Sequence, residues 1–135
     1  MYTLGTNFNW NPETAATEAK MLNPDKMEEK IPDFVEDLKA RILGKDWRKL
    51  VTKTAEMITK MGEKPPLTEK MLSELTHPVR ITRGSKDNMV TKSESLHAAN
   101  LLQNGEYKEH LNLLHPILKV DPKVIGDDLK QWIYG

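Results

Sequence analysis

One run constrains this chain more than any other: Thr76 to Ile133 reads as strand, helix, strand and helix in turn. Thr76-His-Pro-Val-Arg-Ile-Thr-Arg-Gly-Ser-Lys-Asp87 is a short strand that stops at Gly84 and presents a carboxylate just beyond it. Thr91 and Glu94 then stand at capping-box spacing ahead of Leu96, Ala99 and Leu102, which predicts a helix. Asn104-Gly105 marks a turn, and Glu106-Tyr-Lys-Glu-His-Leu-Asn112 is a second strand-like run. His115 follows it closely. Asp121 caps a last helix, Pro122 fits its first position, and Ile125, Leu129, Trp132 and Ile133 give it one apolar stripe. Strands joined through a helix pair in parallel with a right-handed crossover. Parallel sheets gather functional groups at the carboxyl ends of their strands, and these ends carry Asp87 and His115.

The chain before this run is mostly helical. Tyr2 to Thr6 fits the end of a strand, with Gly5 and the following asparagines as its loop. Glu13 to Lys20 is a short helix candidate. After Asn23-Pro24, Asp25 can cap a longer helix over 25–43, whose Met27, Ile31, Phe34, Val35, Leu38 and Ile42 recur at steps of three and four. Pro32 sets a first-turn boundary or a kink in it. Asp46 caps the next, over 46–62, with Trp47, Leu50, Val51, Thr54, Ile58 and Met61 on one face. Gly62 and Pro65-Pro66 stop it, and Thr68 caps a third piece from Glu69 to Leu75. Three segments result: a strand remnant and loop at 1–11, a helical segment at 12–75, and a βαβα segment at 76–135.

Composition excludes several function classes. The 135 residues suffice for one ordinary domain. Twenty basic and twenty acidic side chains cancel, so the balance gives no reason to expect nucleic acid or an anionic membrane as partner. No apolar run approaches the roughly 20 residues of a membrane span, no signal peptide opens the chain, and the cytoplasm is the expected compartment. Cysteine is absent, so disulfides and thiolate metal sites are excluded. His77, His97, His110 and His115 lack the helical pairing of a zinc site, and Gly84 stands alone where a phosphate loop needs several glycines. No cofactor and no metal are expected. Arg80 and Arg83, with Lys86, read as a solvated edge.

Gly84-Ser-Lys-Asp87-Asn-Met-Val90 resembles the strand end and acid loop of the α/β-hydrolase fold family. His115-Pro-Ile-Leu-Lys-Val-Asp-Pro-Lys-Val-Ile125 resembles its histidine loop and final helix, and acid before histidine is that family's chain order. Leu114 departs from the pattern, since many members have Gly before this histidine. The resemblance implies an α/β fold matching only the carboxyl-terminal part of a hydrolase. It would comprise a small parallel sheet of about three strands, a lid formed by the helical segment, and a closing helix. It also implies Asp87 and His115 as acid and histidine of a catalytic triad, in contact at one sheet edge.

A serine hydrolase needs a nucleophile, a base, an acid that orients the base, and oxyanion donors. His115 is the candidate base, since histidine is the side chain suited to proton transfer near neutral pH, and Asp87 is its candidate orienter. The nucleophile is missing. No Gly-x-Ser-x-Gly occurs, and of Ser73, Ser85, Ser93 and Ser95 only Ser85 lies near the acid, at a strand exit and not at a strand-to-helix elbow. The family's Gly-rich oxyanion loop is absent as well. Two functions remain open. One is a hydrolase part that acts on a small, apolar, ester-like substrate when a complementary half supplies the nucleophile. The other is a non-catalytic binding or interaction protein derived from the fold. In either case the sheet edge and the apolar lid faces lead us to expect self-association, most simply a two-fold dimer.

Overall fold

The computed structural model describes residues 1–115 and 119–135. Its elements run β1 (Tyr2–Leu4), α1 (Pro12–Met21), α2 (Pro24–Lys30), α3 (Pro32–Arg41), α4 (Trp47–Glu63), α5 (Glu69–Ser73), β2 (Val79–Gly84), α6 (Lys92–Leu101), β3 (Gly105–His110) and α7 (Pro122–Tyr134). They divide into two compact units, one of Met1–Phe8 with Leu67–Gly135, the other of Asn9–Pro66. None of the described helices is long and apolar enough to cross a membrane.

The first unit is built on a three-stranded sheet in the order β1-β2-β3. Both pairings are parallel, with Tyr2 opposite Arg80 in one and Val79 opposite Gly105 in the other. The strand–helix–strand reading therefore holds in direction and nearly in boundaries. β2 is buried along most of its length, as a central parallel strand covered on both faces should be. Val79 and Ile81 pack with Leu72 of α5, Ala98 and Ala99 of α6, and Leu102 to make this unit's core. α6 begins with the expected capping box: Glu94 N–H donates to Thr91 Oγ1, and the Glu94 carboxylate accepts from Thr91 N–H. The other carboxylate oxygen of Glu94 accepts from the backbone N–H of Phe8, tying the loop after β1 to the start of α6.

The second unit is helical, with a core of Met27, Val35, Trp47 and Val51. The single helix expected over 25–43 is two, because Pro32 stands at the first position of α3 and α2 ends before it. Asn23, not Asp25, caps α2: its side chain accepts from Lys26 N–H, leaving Pro24 at the first helical position. α4 runs past the expected stop, with Gly62 buried in its last turn. Trp47, Val51 and Ile58 are buried as expected, whereas Leu50, Phe34 and Ile31 are exposed.

Candidate functional site

Asp87 and His115 meet at the carboxyl end of the sheet. β2 ends at Gly84, and the chain turns at once: Asp87 N–H donates to Gly84 C=O at 3.1 Å. The Asp87 carboxylate folds back over its own loop, and its Oδ1 accepts from the backbone N–H groups of Met89 and Val90, each at 2.9 Å. Oδ2 remains for a second partner, and His115 Nδ1 lies 3.0 Å from it. The Asp87 side chain is only 2 % exposed, that of His115 28 %.

The electrostatics follow from this placement. Burial pushes the Asp87 carboxyl up, but the Val90 and Met89 N–H groups and His115 together outweigh it and hold the carboxyl below its ordinary value. Asp87 is then ionised at neutral pH and can only accept hydrogen bonds. The proton of this hydrogen bond accordingly sits on Nδ1, because the carboxylate can only accept. A ring oriented in this way through Nδ1 is what a general base acting through Nε2 requires.

Two further loops close around the pair. The segment carrying His115 crosses the end of β2, where Ser85 N–H donates to His110 C=O at 2.8 Å and Lys86 N–H to Leu113 C=O at 3.0 Å. Ser85 Oγ accepts from Asn112 N–H at 2.9 Å. A Cβ on Gly84 would lie 2.1 Å from the Leu113 carbonyl oxygen, so only glycine lets the two loops approach this closely. From the other side comes the end of β1. Gly5 has φ +57°, and a Cβ there would lie 3.1 Å from Asp87 Oδ2 and 3.2 Å from His115 Nδ1. The backbone of Gly5 thus covers the hydrogen bond between the two side chains.

No serine completes the arrangement among the described residues. Ser85 is engaged in the loop contact just given, Ser73 donates to Lys70 C=O, Ser93 is exposed, and Ser95 is buried with its hydroxyl unpartnered. No group of three or more potential metal ligands forms among the described residues either. Pro116, Ile117 and Leu118 of the histidine-loop motif lie outside the described residues.

Arg80 and Arg83 are not a solvated edge. The Arg83 side chain is 8 % exposed and bonds the acid loop and Glu109. Arg80 donates to Asp128 and Glu106 and stacks over Trp132. It belongs to a polar cluster between β-strand residues and α7. There Tyr2 Oη donates to Asp128 Oδ2 at 2.7 Å, Lys108 also reaches Asp128, and His110 Nε2 lies 3.1 Å from Tyr2 Oη. Since the tyrosine proton goes to Asp128, His110 Nε2 carries the other proton and donates to Tyr2. Sequence reasoning missed this cluster, because Asp128 sits in a helix pattern that otherwise reads as polar outside and apolar inside.

No protein-family model matches the sequence, and none of the curated proteins compared with it does. Solved structures do match. An α/β hydrolase enzyme from a Medee basin deep-sea metagenome library aligns with TM-score 0.65 and 14 % identity, covering 100 % of this chain and 56 % of its own. A thermophilic esterase from Thermogutta terrifontis gives 0.60 and 15 %, covering 98 % and 54 %. The 2-hydroxy-6-oxo-6-phenylhexa-2,4-dienoate hydrolase of Rhodococcus sp. strain RHA1 gives 0.61 and 18 %, covering 99 % and 54 %. This is part of the α/β-hydrolase fold. The chain spans little more than half the length of these structures, and the coverage is consistent with the carboxyl-terminal part of the fold.

Proposed function

We propose that Asp87 and His115 are the acid and the histidine of a Ser–His–Asp hydrolytic relay. The substrate would be a small, apolar, ester-like molecule, and the nucleophilic serine and oxyanion donors would come from a complementary hydrolase half. The observation that carries this reading is the 3.0 Å contact of His115 Nδ1 with an Asp87 carboxylate that is almost fully buried and otherwise held by backbone N–H groups. The esterase and hydrolase among the structural neighbours support the reaction class.

In this role Nε2 of His115 takes the proton of a serine hydroxyl as its oxygen attacks the ester carbonyl. The ring becomes an imidazolium that Asp87 stabilises through Nδ1–H. It then returns the proton to the departing alkoxide, and water repeats the cycle on the acyl-serine. The helical unit Asn9–Pro66 corresponds in this reading to the family's lid. A second reading, a non-catalytic binding module, draws on one observation: among the described residues no serine hydroxyl is hydrogen bonded to His115.

The test is complementation. The chain alone is expected to hydrolyse p-nitrophenyl butyrate no faster than its His115→Ala variant. Co-expressed with an amino-terminal hydrolase half carrying Gly-x-Ser-x-Gly, it should gain activity that His115→Ala removes and Asp87→Asn lowers by about 10⁴-fold. A complemented activity indifferent to both substitutions would favour the binding module.

A further inference from the structure

We infer that Arg83 is a positioning residue for the acid loop, gripping it at both ends so that Asp87 faces His115; this rests on the reading of that pair as the relay. The guanidinium uses all three nitrogens. Nη2 donates to the Asp87 carbonyl at 2.9 Å and Nε to the Val90 carbonyl at 3.1 Å, while Nη1 donates to Glu109 Oε2 at 2.6 Å. Asp87 and Val90 are the two ends of the turn whose N–H groups, at Met89 and Val90, hold Asp87 Oδ1. One planar side chain therefore fixes the span of backbone that aims the carboxylate.

The anchor of this grip lies on the histidine strand. Glu109 is in β3, opposite Arg83 in the parallel register, so the ion pair bridges neighbouring strands. Tyr107 Oη donates to the same Glu109 oxygen at 3.1 Å, and Lys92 Nζ stands 3.6 Å from the other. The strand that leads into the histidine loop thus holds, through Glu109 and Arg83, the loop that carries the acid. Geometry requires arginine here, because a lysine ammonium is a point donor and cannot meet two diverging carbonyls and a carboxylate in one plane. Its own charge does not explain the grip, for Glu109 already neutralises it. What the two carbonyl contacts add is the shape of the loop.

Three variants of the full chain, Arg83→Met, Arg83→Lys and Asp87→Asn, separate this inference from the reading it rests on. The measurements are the titration of the Asp87 carboxyl carbon, the amide exchange of Met89 and Val90, and the low-field Nδ1 proton of His115, all by NMR. Amide shifts of β1, which does not carry the substituted residue, report folding. With Arg83→Lys, which keeps a cation beside Glu109, the β1 signals should stay in place. Met89 and Val90 should exchange at least ten times faster, the Asp87 midpoint should move up, and the His115 proton signal should broaden. Arg83→Met should do the same more strongly wherever it folds. If Arg83→Lys leaves exchange and midpoint unchanged, the inference is overturned, whatever the Met variant does. If Asp87→Asn leaves the His115 proton untouched, the relay reading fails, while the Asp87 midpoint and the two amides still decide the role of Arg83.

Discussion

Gly84 and Gly5 show at the residue scale how tightly the candidate site is closed. The contact made by a Gly84 Cβ would be with backbone, at 2.1 Å from the Leu113 oxygen, so the histidine loop itself must move. Gly84→Ala should cost about 1–3 kcal/mol in urea unfolding, and the displaced loop should carry His115 away from Asp87. Gly126 provides the contrast: it lies inside α7 with open space around it, and Gly126→Ala should stabilise by about 1 kcal/mol. Equal effects of the two substitutions would contradict this account of Gly84. Asp87 and His115 were legible in the sequence because each follows the end of a strand whose limits are marked by local turn residues. Arg83 was not. Its partners are carbonyls, which have no sequence signature, and a glutamate 26 residues away on another strand.

At the scale of elements, α7 is tied to the sheet by the polar cluster around Asp128. Asp128, with its side chain 4 % exposed, is the acid shared by Arg80, Lys108 and Tyr2. Removing it with Asp128→Ala strands two cations, one of them 11 % exposed, and should cost about 3–5 kcal/mol. The pH dependence has a definite sign on each side. Burial holds the His110 ring below its ordinary 6.5, against the pull of Asp128, so the unfolded chain binds a proton there that the folded chain refuses. Stability therefore declines as pH falls below 6.5. Asp128 and Asp87 add further loss as pH falls below 3.8: burial pushes both up, but their hydrogen bonds hold both lower. On the alkaline side burial and the bond to Asp128 push Tyr2 up to about 12 from 10.0. The unfolded tyrosine ionises first, and stability falls again above pH 10. Tyr107, raised by burial, acts in the same sense. Urea midpoints across pH should show both limbs, with the alkaline one reduced in Tyr2→Phe; a midpoint rising between pH 6.5 and 5 would contradict the burial of neutral His110. The strands, α6 and its capping box were readable from the sequence, since their signals are local. The division of α2 from α3 hung on Pro32 taking a first helical position in place of an interior kink. The burial of Asp128 could not be read, because its partners Tyr2, Arg80 and Lys108 lie on three different strands.

At the scale of the whole molecule, the sheet ends in two strands that each pair on one side only among the described residues. Open strand edges are templates for pairing, and the helical unit exposes Leu43, Leu50 and Met57. We expect self-association, or association with a complementary hydrolase half, and static light scattering at micromolar concentration should give a mass above the 15.5 kDa of one chain. A cooperatively unfolding species at the monomer mass would count against it. The reading of the site is independent of that outcome and rests on one hydrogen bond. Its most direct test is the ¹⁵N-resolved proton spectrum of the imidazoles near neutral pH. The account predicts a low-field His115 proton on Nδ1, slow to exchange, that disappears in Asp87→Asn while the signals of the sheet remain. A His115 ring protonated on Nε2 instead, or an Nδ1 proton unchanged in that variant, would contradict the assignment of Asp87 and His115 as a relay.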